Sequence, residues 1–265
     1  MTEMETMWEP DGWGSRARIG LLTPHNDIVP EDEFGAMAPS GVAIHVARVP
    51  LGWSSGAEPP PLGLDAVRAF ASPPYVDEAA ELVAATPISV IAYAFTSSSY
   101  LLGPEGDAAL KSRLETRSRG IPSVIPCPAV ILALRALRRS RLAIVHPPWF
   151  PPQLDQLGAD YFRKQGCEVV YAAAAVGLPA SQSSIEPVQV YEWVRTHVPD
   201  NADAVFLGGG GLRAIAAIQA LEDTLARPVL SANQVLFWHA LRLARVEEPI
   251  ARYGQIFGRA LPEAA

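Results

Sequence analysis

Proton transfer near neutral pH calls for an imidazole, a thiol or a carboxyl with a shifted pKa. Three residues meet that requirement where an apolar run gives way to a turn. They are His25 after Arg18–Leu22, Cys127 after Ser123–Ile125, and His146 after Leu142–Val145. The runs before the two histidines open alike, Arg18-Ile19-Gly20-Leu21 and Arg141-Leu142-Ala143-Ile144, so His25 and His146 could face a cleft as a proton-transferring pair. Cys127 lies between Pro126 and Pro128 at the expected N-cap of a helix over Ala129–Arg138, where the helix dipole favours a thiolate. Cys167 reads as structural, and His45, His197 and His239 as structural or solvent-facing.

Hydroxyls, amides and glycines suited to an anion occupy equivalent positions: Asn26, Thr96, Ser97, Gly208 to Gly211 and Asn233. The glycine cluster precedes a helix, where glycine lets backbone N–H groups approach a ligand closely. No Lys-Ser or Lys-Thr follows it, and it lacks the paired spacing of a dinucleotide fingerprint, so an anion smaller than a nucleotide fits better. No metal is expected, because His-x-x-x-His and Cys-x-x-Cys spacings are absent. Asp27, Glu31, Asp32 and Glu33 read as an acidic helix start that complements the dipole. Without a Gly-x-Ser-x-Gly elbow, Ser97–Ser99 does not suggest a serine hydrolase.

The elements that must position these residues are short β-like runs alternating with longer helical patterns. The remaining runs are Val42–Arg48, Ser89–Ala94, Glu168–Ala172, Ala204–Leu207 and Val229–Ser231. Most are continuously apolar, as parallel strands covered on both faces should be. Ile88–Ser99 and Ala204–Leu212 each end in a polar or glycine cluster, and each leads through a helix to a Pro-led strand, Ile121-Pro122-Ser123 and Arg227-Pro228-Val229. This internal repetition predicts an α/β fold of two Rossmann-like subdomains with four-stranded parallel sheets. The expected division is an extension over 1–17, a first subdomain of 18–126 plus 235–265, and a second of 127–234. Trp53–Leu62 reads as a surface loop long enough to act as a lid, with Leu178–Pro187 as its counterpart.

The chain has 265 residues; its 49% hydrophobic content is too high for a disordered chain, and its net charge of −7 is too small for an acidic tail protein yet disfavours nucleic acid as the main partner. No apolar run reaches membrane-spanning length and no signal peptide opens the chain. With two widely spaced cysteines, a reducing cytoplasm is expected.

Several segments together resemble the Asp/Glu racemase superfamily, in its maleate isomerase and arylmalonate decarboxylase branch. They are Arg18-Ile19-Gly20-Leu21-Leu22-Thr23-Pro24 with Asn26 and Glu31, Ile91-Ala92-Tyr93-Ala94-Phe95-Thr96-Ser97, and Phe206-Leu207-Gly208-Gly209-Gly210-Gly211-Leu212-Arg213. Ser231-Ala232-Asn233-Gln234, Trp238-His239-Ala240-Leu241-Arg242-Leu243 and Tyr253-Gly254 complete the set. The resemblance implies subdomains related by a pseudo-twofold axis, an active site in the cleft between them, and cofactor-free chemistry at a carbon beside a carboxylate. Racemases and maleate isomerases of this superfamily use two facing cysteines, and arylmalonate decarboxylase only the second. By position those cysteines correspond here to Phe95 and Gly209, and a family tyrosine falls at Pro148 beside Trp149.

The implied binding shell is Asn26, Phe95, Thr96, Ser97, Trp149, Gly209, Gly210, Gly211 and Asn233, with His25, His146 or Cys127 managing the proton. The expected function is decarboxylation or isomerisation of a small malonate- or maleate-like acid through an enediolate, without cofactor. The alternative is a non-catalytic carboxylate-binding protein on the same fold. Homo-oligomerisation is left open.

Overall fold

Every expected apolar run forms a parallel strand in the computed structural model, which describes residues 13–51 and 62–263. Most of the lid loop expected over Trp53–Leu62 lies outside the described residues. The first half runs β1 (Ala17–Pro24), α1 (Val29–Met37), β2 (Val42–Val49), α2 (Leu64–Ala71), α3 (Tyr75–Val83), β3 (Val90–Tyr93), α4 (Thr96–Arg117), β4 (Ser123–Val124) and α5 (Pro126–Leu137). The second half runs β5 (Arg141–His146), α6 (Pro152–Lys164), β6 (Glu168–Ala174), α7 (Pro187–His197), β7 (Ala204–Leu207), α8 (Ile215–Leu225), β8 (Val229–Ser231) and α9 (Ala232–Leu243).

The strands form two four-stranded sheets ordered β2-β1-β3-β4 and β6-β5-β7-β8, the same winding twice. The inner strands β3 and β7 are wholly buried, and the edge strands β2 and β6 are partly exposed. This is why the inner strands read as unbroken apolar runs, covered by helices on both faces. Parallel order also carries the carboxyl ends of β1 and β3, and of β5 and β7, to one edge of each sheet.

Local details depart from the sequence reading at the starts of α5 and α1. Helix α5 begins at Pro126 with Ile125 as its N-cap, so Cys127 lies inside the first turn. Helix α4 bends at Gly103, whose φ of 70° breaks the helix just before Pro104. In α1, Glu31 and Asp32 form the acidic first turn, whereas Glu33 shares the buried face with Val29, Phe34 and Met37. Helix α9 leaves β8 of the second sheet and packs against β3, β4 and α1 of the first, so the chain crosses between the halves. No described helix is long and apolar enough to cross a membrane.

Candidate active site between the two sheets

The loops after β1 and β3 meet the loops after β7 and β8. A Cβ built on Gly210 would lie 3.3 Å from Asn233 Oδ1, 3.4 Å from Pro30 Cγ and 3.5 Å from the Ala94 carbonyl oxygen. One built on Gly211 would meet the Gln182 amide first and lie 3.1 Å from Asp27 Oδ2. A side chain at either position would therefore crowd the opposing half, and glycine lets the two loops touch.

One buried carboxylate ties this junction together. Glu33 Oε1 accepts the N–H groups of Ala214 (2.7 Å) and Ile215 (3.0 Å), and Oε2 accepts Asn233 Nδ2 (2.7 Å). Asn233 Nδ2 also donates to the Gly210 carbonyl at 2.8 Å. The first helix thus satisfies donors at the start of α8 that would otherwise be orphaned. Burial pushes the Glu33 carboxyl up to about 7, against these hydrogen bonds, and the Asp27 charge adds to the rise.

Around the junction several polar groups have no partner among the described residues. The N–H groups of Thr96 and Ser97, in the first turn of α4, meet no protein acceptor there, nor do those of Gly209, Gly210 and Gly211. Thr96 Oγ1, Thr23 Oγ1 and Asn233 Oδ1 are likewise buried and unpaired. Buried polar groups are normally satisfied, so this concentration marks a place for a polar ligand. Of the residues expected in the binding shell, Asn233 borders the glycine loop at Gly210, and the Ala94 carbonyl, two residues before Thr96, borders it from the other half.

Other expected site residues fare differently. Asn26 is exposed, and its neighbour Asp27 is the buried polar residue of that loop. Phe95 turns its ring onto Phe70 of α2, centroids 4.2 Å apart, and Trp149 is half-buried against the core. His25 is half-buried. Its Nδ1 accepts the Leu51 N–H at 3.1 Å, and Arg48 donates to its carbonyl oxygen.

His146 is wholly enclosed, so the expectation of two histidines facing a cleft is corrected. Its Nε2 lies 3.1 Å from the Tyr100 hydroxyl and its ring stacks on Phe150, with Nδ1 2.8 Å from Asp155 Oδ1. The last pair is close but not aligned as a hydrogen bond. Gly208 closes the layer above, since a Cβ there would meet Tyr100 Oη at 2.7 Å and His146 Cδ2 at 2.9 Å.

Cys127 is also fully buried. Burial pushes its thiol well above the usual range and nearby Asp107 adds to the rise, the reverse of the thiolate expected from the helix dipole. Desolvation outweighs the dipole because no water reaches the sulfur. Cys127→Ala is expected to leave turnover unchanged and to lower stability by about 1 kcal/mol. Urea unfolding beside a steady-state assay checks this.

The carboxylate that sequence reasoning passed over had a signal. Val29, Glu33 and Met37 fall at i, i+4 and i+8, which places Glu33 on the apolar stripe of α1. A 450 Å³ pocket borders the same junction, lined in part by Asp32, Glu33, Gln182, Arg213 and Tyr253. A larger pocket of 740 Å³ lies along β2 and α3, between Ile44, Val46, Tyr75 and Leu82, remote from the glycine loop. Among the described residues no group of His, Cys, Asp and Glu side chains is placed to hold a metal ion.

Residues 70–257 match the sequence model of the family described as arylmalonate decarboxylase. The chain belongs to that family. It thereby joins enzymes of the lyase or isomerase type. Its fold is similar to that of unliganded arylmalonate decarboxylase, at 23% identity and a TM-score of 0.73 over 91% of this chain and 98% of that one. It is also similar to the maleate isomerase Iso from Pseudomonas putida S16, at 20% identity and a TM-score of 0.78 over 91% and 98% of the chains. A Nocardia farcinica maleate cis-trans isomerase variant, solved with a covalently bound succinylcysteine intermediate, matches at 20% identity and a TM-score of 0.79 over 91% and 98%. Among proteins of curated function, none matches significantly. These likenesses establish the two-sheet architecture of the arylmalonate decarboxylase family for this chain.

The buried acids make stability depend on pH. Asp27 and Glu33 both stand at about 7 in the folded protein, against 3.8 and 4.5 for free side chains. A raised carboxyl pKa means that folding takes up a proton. The contribution is therefore full below the unfolded values and is lost as pH rises through about 7. Half-buried His239, lowered to about 4 by desolvation, acts in the opposite sense below its ordinary 6.5. The unfolding free energy of wild type is expected to fall from pH 6.5 to pH 8, and that of Glu33→Gln to fall less. Equal slopes in urea titrations at the two pH values would remove Glu33 as the cause.

Proposed function

We propose that this protein decarboxylates or isomerises a small malonate- or maleate-like carboxylic acid through an enediolate, without a cofactor. The observation that supports the reading is that both halves carry N–H groups without a protein acceptor at their strand ends, Thr96 and Ser97 after β3 and Gly209, Gly210 and Gly211 after β7, together with the buried hydroxyl of Thr96. Fixed donors aimed at developing negative charge stabilise an enediolate more than the starting carboxylate, which is the requirement for rate acceleration.

Thiol chemistry does not suit this site. By the sequence resemblance Phe95 and Gly209 fall at the positions of the two cysteines, and Gly209 has a φ of 88° with the Pro147 ring against it. Decarboxylation tolerates that loss better than two-cysteine racemisation, because anion stabilisation drives departure of CO₂ and one acid completes the reaction.

The test is CO₂ release from phenylmalonate and methylmalonate, together with conversion of maleate to fumarate followed by NMR. Turnover of one of these by wild type is expected, with Thr96→Val reducing kcat by about ten- to hundredfold. Binding of benzylphosphonate without turnover of any substrate would instead favour a carboxylate-binding accessory protein.

A further inference from the structure

We infer that Asp27 is the acid that protonates the carbon of the enediolate, and that Glu33 is the positioning residue holding the glycine loop against it. This rests on the decarboxylase reading of the same junction. Asp27 follows β1 and is only 5% exposed. Its Oδ1 accepts the Val29 N–H at 3.1 Å, which fixes the side chain against the first turn of α1. The other oxygen, Oδ2, points at the glycine loop, 3.1 Å from the place a Cβ of Gly211 would take. The Gln182 amide meets the same Gly211 position, and the buried, unpaired Oδ1 of Asn233 lies 3.3 Å from the place a Cβ of the adjoining Gly210 would take.

The rival acids are poorly placed. Cys127 and His146 have no exposed surface. His25 accepts the Leu51 N–H at Nδ1, so its ring hydrogen is on Nε2, and that atom is itself buried.

The charged groups around Asp27 are few. Arg48 donates to the carbonyl oxygens of Asp27 (3.1 Å) and His25 (3.4 Å) and pairs with Glu31. Glu33 lies on the adjoining helix. Burial pushes the Asp27 carboxyl up to about 7, against the Val29 hydrogen bond and the Arg48 charge, so a substantial fraction is protonated near neutrality.

In the step, the bond from the α-carbon to one carboxylate breaks, CO₂ departs, and the electron pair remains as an enediolate held by the loop donors. The Asp27 O–H proton passes to the α-carbon, a C–H bond forms, and the carboxylate left behind takes a proton from water. Glu33 acts through its bonds to Ala214, Ile215 and Asn233, which lock the second half onto the helix that follows Asp27.

Asp27→Asn in the full chain tests this, since the amide keeps an oxygen for the Val29 N–H. On a substrate that wild type turns over, kcat is expected to fall by about hundredfold or more with KM little changed. Retention of kcat within a few fold would overturn the proposal. A second readout uses aspartate ¹³C-carboxyl NMR, with Asp27→Asn supplying the assignment. The Asp27 midpoint is expected to rise when benzylphosphonate is added, because a neighbouring anion favours the protonated carboxyl. If wild type turns over none of the substrates, the decarboxylase reading fails. The titration then decides the placement: a raised midpoint supports Asp27 facing the anion, and an unmoved one overturns it.

Discussion

Replacing Glu33 with alanine is expected to lower the unfolding free energy by about 3–5 kcal/mol, because three buried donors lose their acceptor at once. The orphaned groups are the N–H groups of Ala214 and Ile215 and one hydrogen of Asn233 Nδ2. The two amides begin α8, where the helix supplies no acceptors of its own. Glu33→Gln keeps one carbonyl oxygen for those amides and is expected to lose about half as much. Urea unfolding at pH 6.5 measures both. An alanine variant as stable as wild type would show that the cross-half bonds contribute nothing net. The same substitution frees the glycine loop from α1, so turnover should fall in Glu33→Gln as well, even where that variant is fully folded.

Introducing a thiol at position 209 is expected to damage the protein rather than recover cysteine chemistry. Gly209 has a φ of 88°, and a Cβ there would stand 2.5 Å from Pro147 Cγ and 2.9 Å from Pro147 Cδ. The left-handed backbone costs a non-glycine residue about 1–2 kcal/mol. Overpacking against a rigid ring adds about 1–3 kcal/mol. Gly209→Cys should therefore lose about 2–4 kcal/mol in denaturant unfolding, and Pro147→Ala combined with it should recover part of that loss. Gain of maleate isomerisation by Gly209→Cys with wild-type stability would contradict a site shaped around a thiol-free loop. Pro147 and Gly209 thus form one unit: the ring fills the space that a side chain at 209 would need.

Much of the proposed binding shell rests on local signals. A glycine cluster ahead of a helix, or Thr-Ser after an apolar run, identifies the end of a parallel strand whatever the rest of the chain does. The proposed proton donor gives no such local signal. Asp27 and Glu33 stand in an acidic stretch whose ordinary explanation, complementing the helix dipole, holds for Glu31 and Asp32. Only the i, i+4, i+8 spacing with Val29 and Met37 separated Glu33 from its neighbours. His146 and Cys127 misled for the opposite reason, since their positions after strands say nothing about what covers them.

The sequence by itself determined the eight parallel strands, their arrangement in two sheets and the loops that carry the unpaired N–H groups. Those follow from apolar periodicity and from proline and glycine, which act over a few residues. Tertiary structure decided which titratable groups meet water and which are sealed. It buried Cys127 behind α4, closed His146 under Gly208, and brought Glu33 to Ala214 across 181 residues of chain. The physical reason is that a pKa and an access path depend on desolvation and on partners from distant segments. Spacing along the chain places a side chain at the end of a strand, and the packing of the two halves determines whether it can exchange a proton there.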